Sequence, residues 1–309
     1  MLQILSITAP IFILIALGFI AAMTKLLTRE QTRGMGSFVI TLALPALIVK
    51  GMAGHTLGTI VNPEFLIAYT AGSLASFSLG FIVFRKRLKQ DLSGSAMAAL
   101  GVSASNTGFI GYPVAAMVIG PSAAVGVAMA IMVETIVMIP LAQALADAGQ
   151  SQSKTKLKTV AQTTRRLVKS PLIIAIASGL LLSLLGLQLP AIPMQVIDML
   201  AVASAPVALF VIGGTLYGLK ARGLMAEVTL ITVGKLIVHP LAIALAFLLA
   251  PSLEPSLKIA GVLFASAPML SIYPIFGQRY GLEQRSAAAL LVTTVVSFVS
   301  ISIVIGLVT

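Results

Sequence analysis

Residues 103–113 read SASNTGFIGYP, inside a run from Ser93 to Gly120 that is otherwise apolar enough to cross a bilayer. Hydrocarbon offers no water to a backbone whose helical bonds are broken. Irregular backbone at that depth survives only where protein buries it or a cavity wets it. Pro113 lacks an amide hydrogen and crowds the preceding turn, while Gly108 and Gly111 take conformations that other residues resist. The stretch predicts a span that loses its winding midway, where its polar backbone has other partners.

The rest of the chain supports a membrane setting. Of 309 residues, 58% are hydrophobic and 9% charged, and the mean hydropathy is +1.07. Apolar runs of about 20 residues, the length that crosses the hydrocarbon of a bilayer, recur from end to end. The pattern places ten spans at 4–23, 35–54, 65–84, 93–120, 123–146, 171–189, 194–218, 225–250, 256–281 and 286–308. The opening MLQILSITAPIFILIALGF has neither a basic leader nor a small-residue cleavage site and reads as the first span. There are no cysteines, which excludes disulfides, thiolate metal sites and cysteine nucleophiles. No metal or cofactor is expected.

A net charge of +11 would suit nucleic acid on a soluble chain, but here the charge lies between spans. Seventeen of the twenty basic residues fall in alternate loops, from Lys25, Arg29 and Arg33 through Arg85–Lys89 and Lys154–Lys169 to Arg279 and Arg285. Lys50 and Lys258 fall on the other side, with Lys50 snorkelling to the headgroups. Positive loops face the cytoplasm, so both termini are expected on the non-cytoplasmic side of the cell membrane. The expected contact of the basic residues is a lipid surface and not nucleic acid.

Sliding the chain on itself by 161 residues aligns PIFILIALG (10–18) with PLIIAIASG (171–179), Pro45 with Pro206, Tyr112-Pro113 with Tyr273-Pro274, and Gly120 with Gly281. Five spans separate each residue from its counterpart, so the two copies run through the bilayer in opposite senses. The expected fold is an all-α polytopic membrane protein, ten transmembrane helices in a 5+5 inverted repeat with broken, crossing helices 4 and 9. Residues 1–147 form the first unit, 148–170 a basic cytoplasmic linker, and 171–309 the second.

SASNTGFIGYP aligns with FASAPMLSIYP (264–274), where Pro268 and Pro274 mark the second interruption. Two unwound segments at one depth would expose half-helix ends whose N–H groups suit an anion. Hydrogen-bonding side chains gather there: Ser105, Asn106, Thr107 and Tyr112 in one copy, Ser271 and Tyr273 in the other, with Ser103 and Ser266 beside them. Asn106 either orients the ligand through its amide or caps the second half-helix. A passive channel fits less well, because two broken helices meeting at a point make a binding site more naturally than a continuous pore.

The element NTGFIGYP (106–113), the basic central loop and the proline-bearing ninth span resemble the auxin efflux carrier family, which includes plant PIN-type carriers and bacterial malate and malonate permeases. The resemblance covers the whole chain, and the short central loop is similar to the bacterial branch. It implies an organic carboxylate as substrate, a scaffold of spans 1, 2, 6 and 7, and a moving unit of spans 3–5 and 8–10. It also implies an elevator-type mechanism and a homodimer through the scaffold. The chain departs from the pattern at Ala267, where no Asn stands opposite Asn106, and in the third span, which lacks a charged residue.

Ionisable side chains at mid-depth are costly and mark function by default. Glu134 lies in span five, and Lys235 and His239 lie four apart on one face of span eight. Glu134 and Lys235 either pair with each other, or Glu134 carries a coupling proton, or Lys235 faces the anion. His239 either satisfies a carbonyl freed by Pro240 or senses pH. Coupling to H⁺ or Na⁺ stays open, and a sodium symporter of the bile-acid type is the rival carrier. An intramembrane enzyme is disfavoured, because no HExxH and no paired aspartates appear.

Overall fold

The structure, a computed structural model, describes residues 2–52, 61–150, 169, 171–187, 189–218 and 225–308. The linker expected at 148–170 lies mostly outside the described residues, as do the Lys154–Arg166 charges, Lys220 and Arg222. The described residues are helical, with no strand among them. In chain order they form α1 (Leu2–Met23), α2 (Arg29–Met52), α3 (Pro63–Arg87), α4a (Leu92–Ser103), α4b (107–119) and α5 (Ala123–Gly149). There follow α6 (Pro171–Leu184), α7 (Ala191–Leu216), α8 (Met225–Leu248), α9a (Pro255–Ser266), α9b (Tyr273–Arg279) and α10 (Glu283–Val308).

Among the described residues, seven stretches are long and apolar enough to cross a membrane: α2, α3, the combined α4a and α4b, α5, α7, α8 and α10. Phe12–Met23 of α1, α6 and α9a are shorter apolar helices. Ile13, Leu17, Ile192, Met199 and Leu245 sit exposed on outer faces, the reverse of a water-facing surface.

Local sequence sets the helix ends. Thr28 and Gln31 make a reciprocal capping box at the start of α2. Asn62 accepts from the Phe65 N–H at 3.0 Å ahead of Pro63 in α3, and Asp91 accepts from the Gly94 N–H at 2.7 Å in α4a. Pro63 and Pro255 sit in first turns, where a missing N–H costs nothing.

Four prolines inside spans leave a second signature. The residues just before Pro45, Pro113, Pro140 and Pro240 each donate their N–H five residues back, to Val39, Thr107, Glu134 and Gly234. A proline ring collides with the carbonyl four residues earlier. Widening that turn to the π form relieves the collision without ending the helix, and such bulges gather at functional sites.

Packing separates by helix. α1 lies along α7 so closely that a Cβ on Gly18 would fall 1.9 Å from the Phe210 carbonyl oxygen, and one on Gly213 1.8 Å from that of Ile15. Small residues allow this approach where lipid gives apolar side chains no reason to cluster. The second half of α2 packs on α6 and α7, while α3 packs on α4a and α8, α9b on α10 and α5 on α4a.

Candidate functional site

The interruption predicted in the fourth span is present, displaced toward the N-terminus. Winding stops at Ser103, Ala104 is extended (φ −109°, ψ 138°), and Asn106 (φ −81°, ψ 60°) starts the next turn. Gly108, Gly111 and Pro113, expected to make the break, lie after it in the first turns of α4b. Pro113 is tolerated there because the turn before it is widened to the π form, with the Tyr112 N–H donating to the Thr107 carbonyl. The second interruption runs from Ala267 (φ −65°, ψ 152°) to Ile272, contains Pro268, and ends with Pro274 in the first turn of α9b.

The two interruptions touch. The Asn106 N–H donates to the Pro268 carbonyl at 2.7 Å, and Asn106 Nδ2 donates to Ser271 Oγ at 2.7 Å. Asn106 Oδ1 accepts from the Phe109 N–H at 3.3 Å, so the side chain caps α4b and joins the two segments at once. It is 3% exposed.

Two buried charges brace this junction. Glu134, the first residue of a π turn in α5, accepts at Oε1 from the Ser105 N–H (3.1 Å) and the Thr107 hydroxyl (2.6 Å). Its carboxylate therefore rests on the N-terminal end of α4b, the positive end of a helix dipole. Lys235, in the π turn of α8 and 0% exposed, donates from Nζ to the Ala265 carbonyl (2.7 Å) and Ser105 Oγ (2.8 Å). Its ammonium covers the negative C-terminal end of α9a. His239 Nδ1 lies 2.8 Å from the same Nζ, and His239 Nε2 lies 3.2 Å from Ser73 Oγ. An ammonium has three donors, and here it meets three acceptors.

This geometry alters three sequence expectations. Glu134 and Lys235 make no direct ion pair, because Ser105 stands between them and bonds to both. His239 does not collect a carbonyl freed by Pro240; the π turn handles that, and the ring ties Lys235 to Ser73. The N-terminal end of α4b is not an open anion seat, because Glu134 already neutralises it. Ser103 and Ser266 bond back to Ala99 and Val262 in their own helices. Tyr273, 0% exposed, donates to the Met97 carbonyl at 2.9 Å and fills the notch at Gly101, where a Cβ would sit 2.8 Å from its hydroxyl.

Several participants carry no obvious sequence signal. Tyr69 of α3 is buried, with its hydroxyl beside Ser105, Thr107 and Glu134 and its ring stacked on Phe65 at 5.4 Å. Neither Tyr69 nor Ser73 stands out within an apolar span. Arg285, read as a loop charge, is 2% exposed. It donates to Gln90 Oε1 (2.5 Å), Glu227 Oε2 (3.1 Å) and the Gly94 carbonyl (2.8 Å), tying the starts of α4a, α8 and α10 together. Lys50 does not snorkel alone: its Nζ lies 2.9 Å from Asp198 Oδ1 of α7.

A cleft runs along α4b from Tyr112 toward its C-terminal end. A cavity of about 640 Å³ is walled by Leu47, Lys50, Tyr112, Ser122, Ala201 and Ser256, among others. A second, of about 270 Å³, shares Tyr112, Ala116, Ala201 and Val202 and continues to Pro10, Pro113 and Pro206. Of the sequence-predicted binding residues, Tyr112 lines both, while Ser105, Asn106 and Thr107 lie buried at the junction. The cleft runs between α1, α2 and α7 on one side and α4b, α5 and α9a on the other.

Comparison with known proteins gives a consistent answer. The family model described as membrane transport protein matches residues 4–305. A Rhizobium meliloti protein named "Putative malonate transporter" is 29% identical over 305 residues, covering 98% of this chain and 95% of that one. The Escherichia coli K12 "Uncharacterized transporter YfdV" is 25% identical over 299 residues, 94% of this chain and 92% of its own length. The mouse "Lysosomal cholesterol signaling protein" is 25% identical over 248 residues, 74% of this chain and 28% of that protein.

Proposed function

We propose that this chain, which belongs to the membrane transport protein family that contains the auxin efflux carriers, is a secondary carrier of a small organic carboxylate. The observation that carries the reading is the pair of interrupted helices joined through Asn106 and Ser271, with a cleft along α4b that reaches as far as Tyr112. Unwound backbone deep in an apolar protein, next to a cavity, is how carriers build mid-membrane sites. In this reading Asn106, Ser271 and Tyr112 hold the carboxylate, with Thr107 and Ser105 positioned behind them by Glu134 and Lys235. The matched relatives named as transporters, one of them for malonate, support a carboxylate cargo.

The carrier has ten spans in two inverted five-helix units whose interrupted helices cross. Support comes from helix bounds that repeat at the 161-residue offset: α2 with α7, α3 with α8, α4a with α9a and α5 with α10. Helices α1, α2, α6 and α7 form the scaffold and the dimer contact. The remaining helices move as an elevator, with the cleft as the sliding boundary. The Arg285 network and the Tyr273–Met97 bond support this division, since both hold moving-unit helices to one another. The protein resides in the cell membrane with both termini away from the cytoplasm.

Counterflow into proteoliposomes tests the proposal. Vesicles loaded with unlabelled short carboxylates accumulate labelled carboxylate transiently, and the Asn106→Ala protein does not. Equal traces from loaded protein vesicles and protein-free vesicles would overturn it.

A further inference from the structure

We infer that the backbone carbonyl of Val202, left free by Pro206, is a specificity-determining acceptor in the cleft, and that it selects a carboxylate with a hydrogen-bond donor, a hydroxyl or an N–H, on the adjoining carbon. The inference rests on the carrier reading above and deepens it by naming that substrate class.

α7 runs as one α-helix from Ala191 to Leu216 with Pro206 inside it. Proline has no N–H, so the carbonyl four residues earlier, that of Val202, loses its helical donor, and the ring crowds it off the axis. Pro45, the counterpart of Pro206 at the 161-residue offset, follows a π turn in which the Leu44 N–H reaches back to Val39. No such turn precedes Pro206. Val202, Ala205, Pro206 and Leu209 fall at i, i+3, i+4 and i+7, one face of the helix, and all four line the second cavity. A helix carbonyl points along the axis toward the residue four on, so the Val202 oxygen lies on this face, between Val202 and Pro206. Val202 also lines the first cavity and is 72% exposed, so the face is open where the two cavities meet.

An acceptor without a donor at membrane depth is costly, and it persists where water or a ligand supplies one. The polar side chains of the cleft are otherwise engaged: Lys50 with Asp198, Ser122 with the Ile119 carbonyl, and Ser256 with Glu254. The exception is the Tyr112 hydroxyl, in the wall of both cavities, which has no partner among the described residues. The cleft thus offers an uncommitted donor, the phenol, and an uncommitted acceptor, the Val202 oxygen. A carboxylate accepts from the phenol, and a hydroxyl or N–H beside it donates to Val202. A plain alkyl carboxylate satisfies the phenol but displaces water from the carbonyl without replacing its hydrogen bond.

The test is uptake by proteoliposomes of labelled lactate and labelled isobutyrate, two carboxylates of similar shape that exchange a hydroxyl for a methyl group. The expected wild-type KM is about tenfold lower for lactate. Pro206→Ala returns an N–H to the helix and occupies the Val202 carbonyl. Its lactate KM rises about tenfold while that for isobutyrate, which loses no hydrogen bond, stays within about twofold. Pro206→Leu, with the same N–H and a different bulk, gives the same pattern, and Tyr112→Phe raises both KMs while keeping the preference. The inference is overturned if Pro206→Ala shifts both KMs equally or neither, or if the wild type takes up both acids without preference; the carrier reading stands in each case. Uptake of neither acid also overturns it, and the counterflow assay with other short carboxylates then decides the carrier reading by itself.

Discussion

Replacing Lys235 by Met tests whether the buried charges brace the interrupted helices. The thioether fills most of the lysine volume, so the main loss is three hydrogen bonds and the charge at the end of α9a. Ala265 O, Ser105 Oγ and His239 Nδ1 lose their common partner. Leaving buried acceptors without a donor costs about 1–3 kcal/mol each, so the loss is several kcal/mol. At about 2–4 °C per kcal/mol for a protein of this size class, thermal unfolding of the purified protein should fall on the order of 10 °C. The double variant Lys235→Met, Glu134→Gln should lose clearly less than the sum of its two singles, since both act on Ser105. A fall of under about 2 °C for Lys235→Met, or strict additivity in the double variant, would refute the bracing argument.

Other substitutions read the remaining parts of the account. Asn106→Ala removes the cap on Phe109 and the bond to Ser271; it should abolish uptake while lowering stability by only about 1–2 kcal/mol, measured as flux and melting temperature on one preparation. Pro140→Ala allows the π turn at Glu134 to tighten, turning the carboxylate away from Ser105 and Thr107; uptake should fall sharply with membrane insertion unchanged. Gly213→Ala drives a methyl group into the Ile15 carbonyl and should cost about 3 kcal/mol or more, seen as a lowered melting temperature. Glu134→Gln keeps an oxygen acceptor for Ser105 and Thr107 and should retain more stability than Glu134→Ala, compared by thermal unfolding.

The helices were legible because apolar runs and capping residues are local signals. SASNTGFIGYP showed that the fourth span breaks, and the 161-residue offset pointed to its counterpart at 264–274. The site of the break was harder to read. Proline was taken as the breaker, yet Pro113 belongs to the helix that follows, where a π turn absorbs its ring. Glu134, Lys235 and His239 stood out as charges in apolar sequence, but helix periodicity does not say which faces meet. The π turns at Glu134 and Lys235 also shift the phase of α5 and α8, so an ideal wheel misplaces both side chains. Tyr69 and Ser73 were hidden because a phenol or a hydroxyl inside a span looks ordinary until its neighbours are known. Lys50 and Asp198 are 148 residues apart in sequence, and only the packing of α2 on α7 makes them partners.

The central claim is that a carboxylate occupies the cleft where the interrupted helices join. Because the chain has no cysteine, an Ala116→Cys variant gives a single reporter on the wall shared by both cavities. Its labelling rate by a small membrane-impermeant maleimide, with and without short mono- and dicarboxylates, is the direct measurement. The account predicts that the cysteine is labelled and that a transported carboxylate slows labelling in a saturable way, with the protection lost in Asn106→Ala. Labelling that no carboxylate slows, or protection that survives Asn106→Ala unchanged, would contradict it.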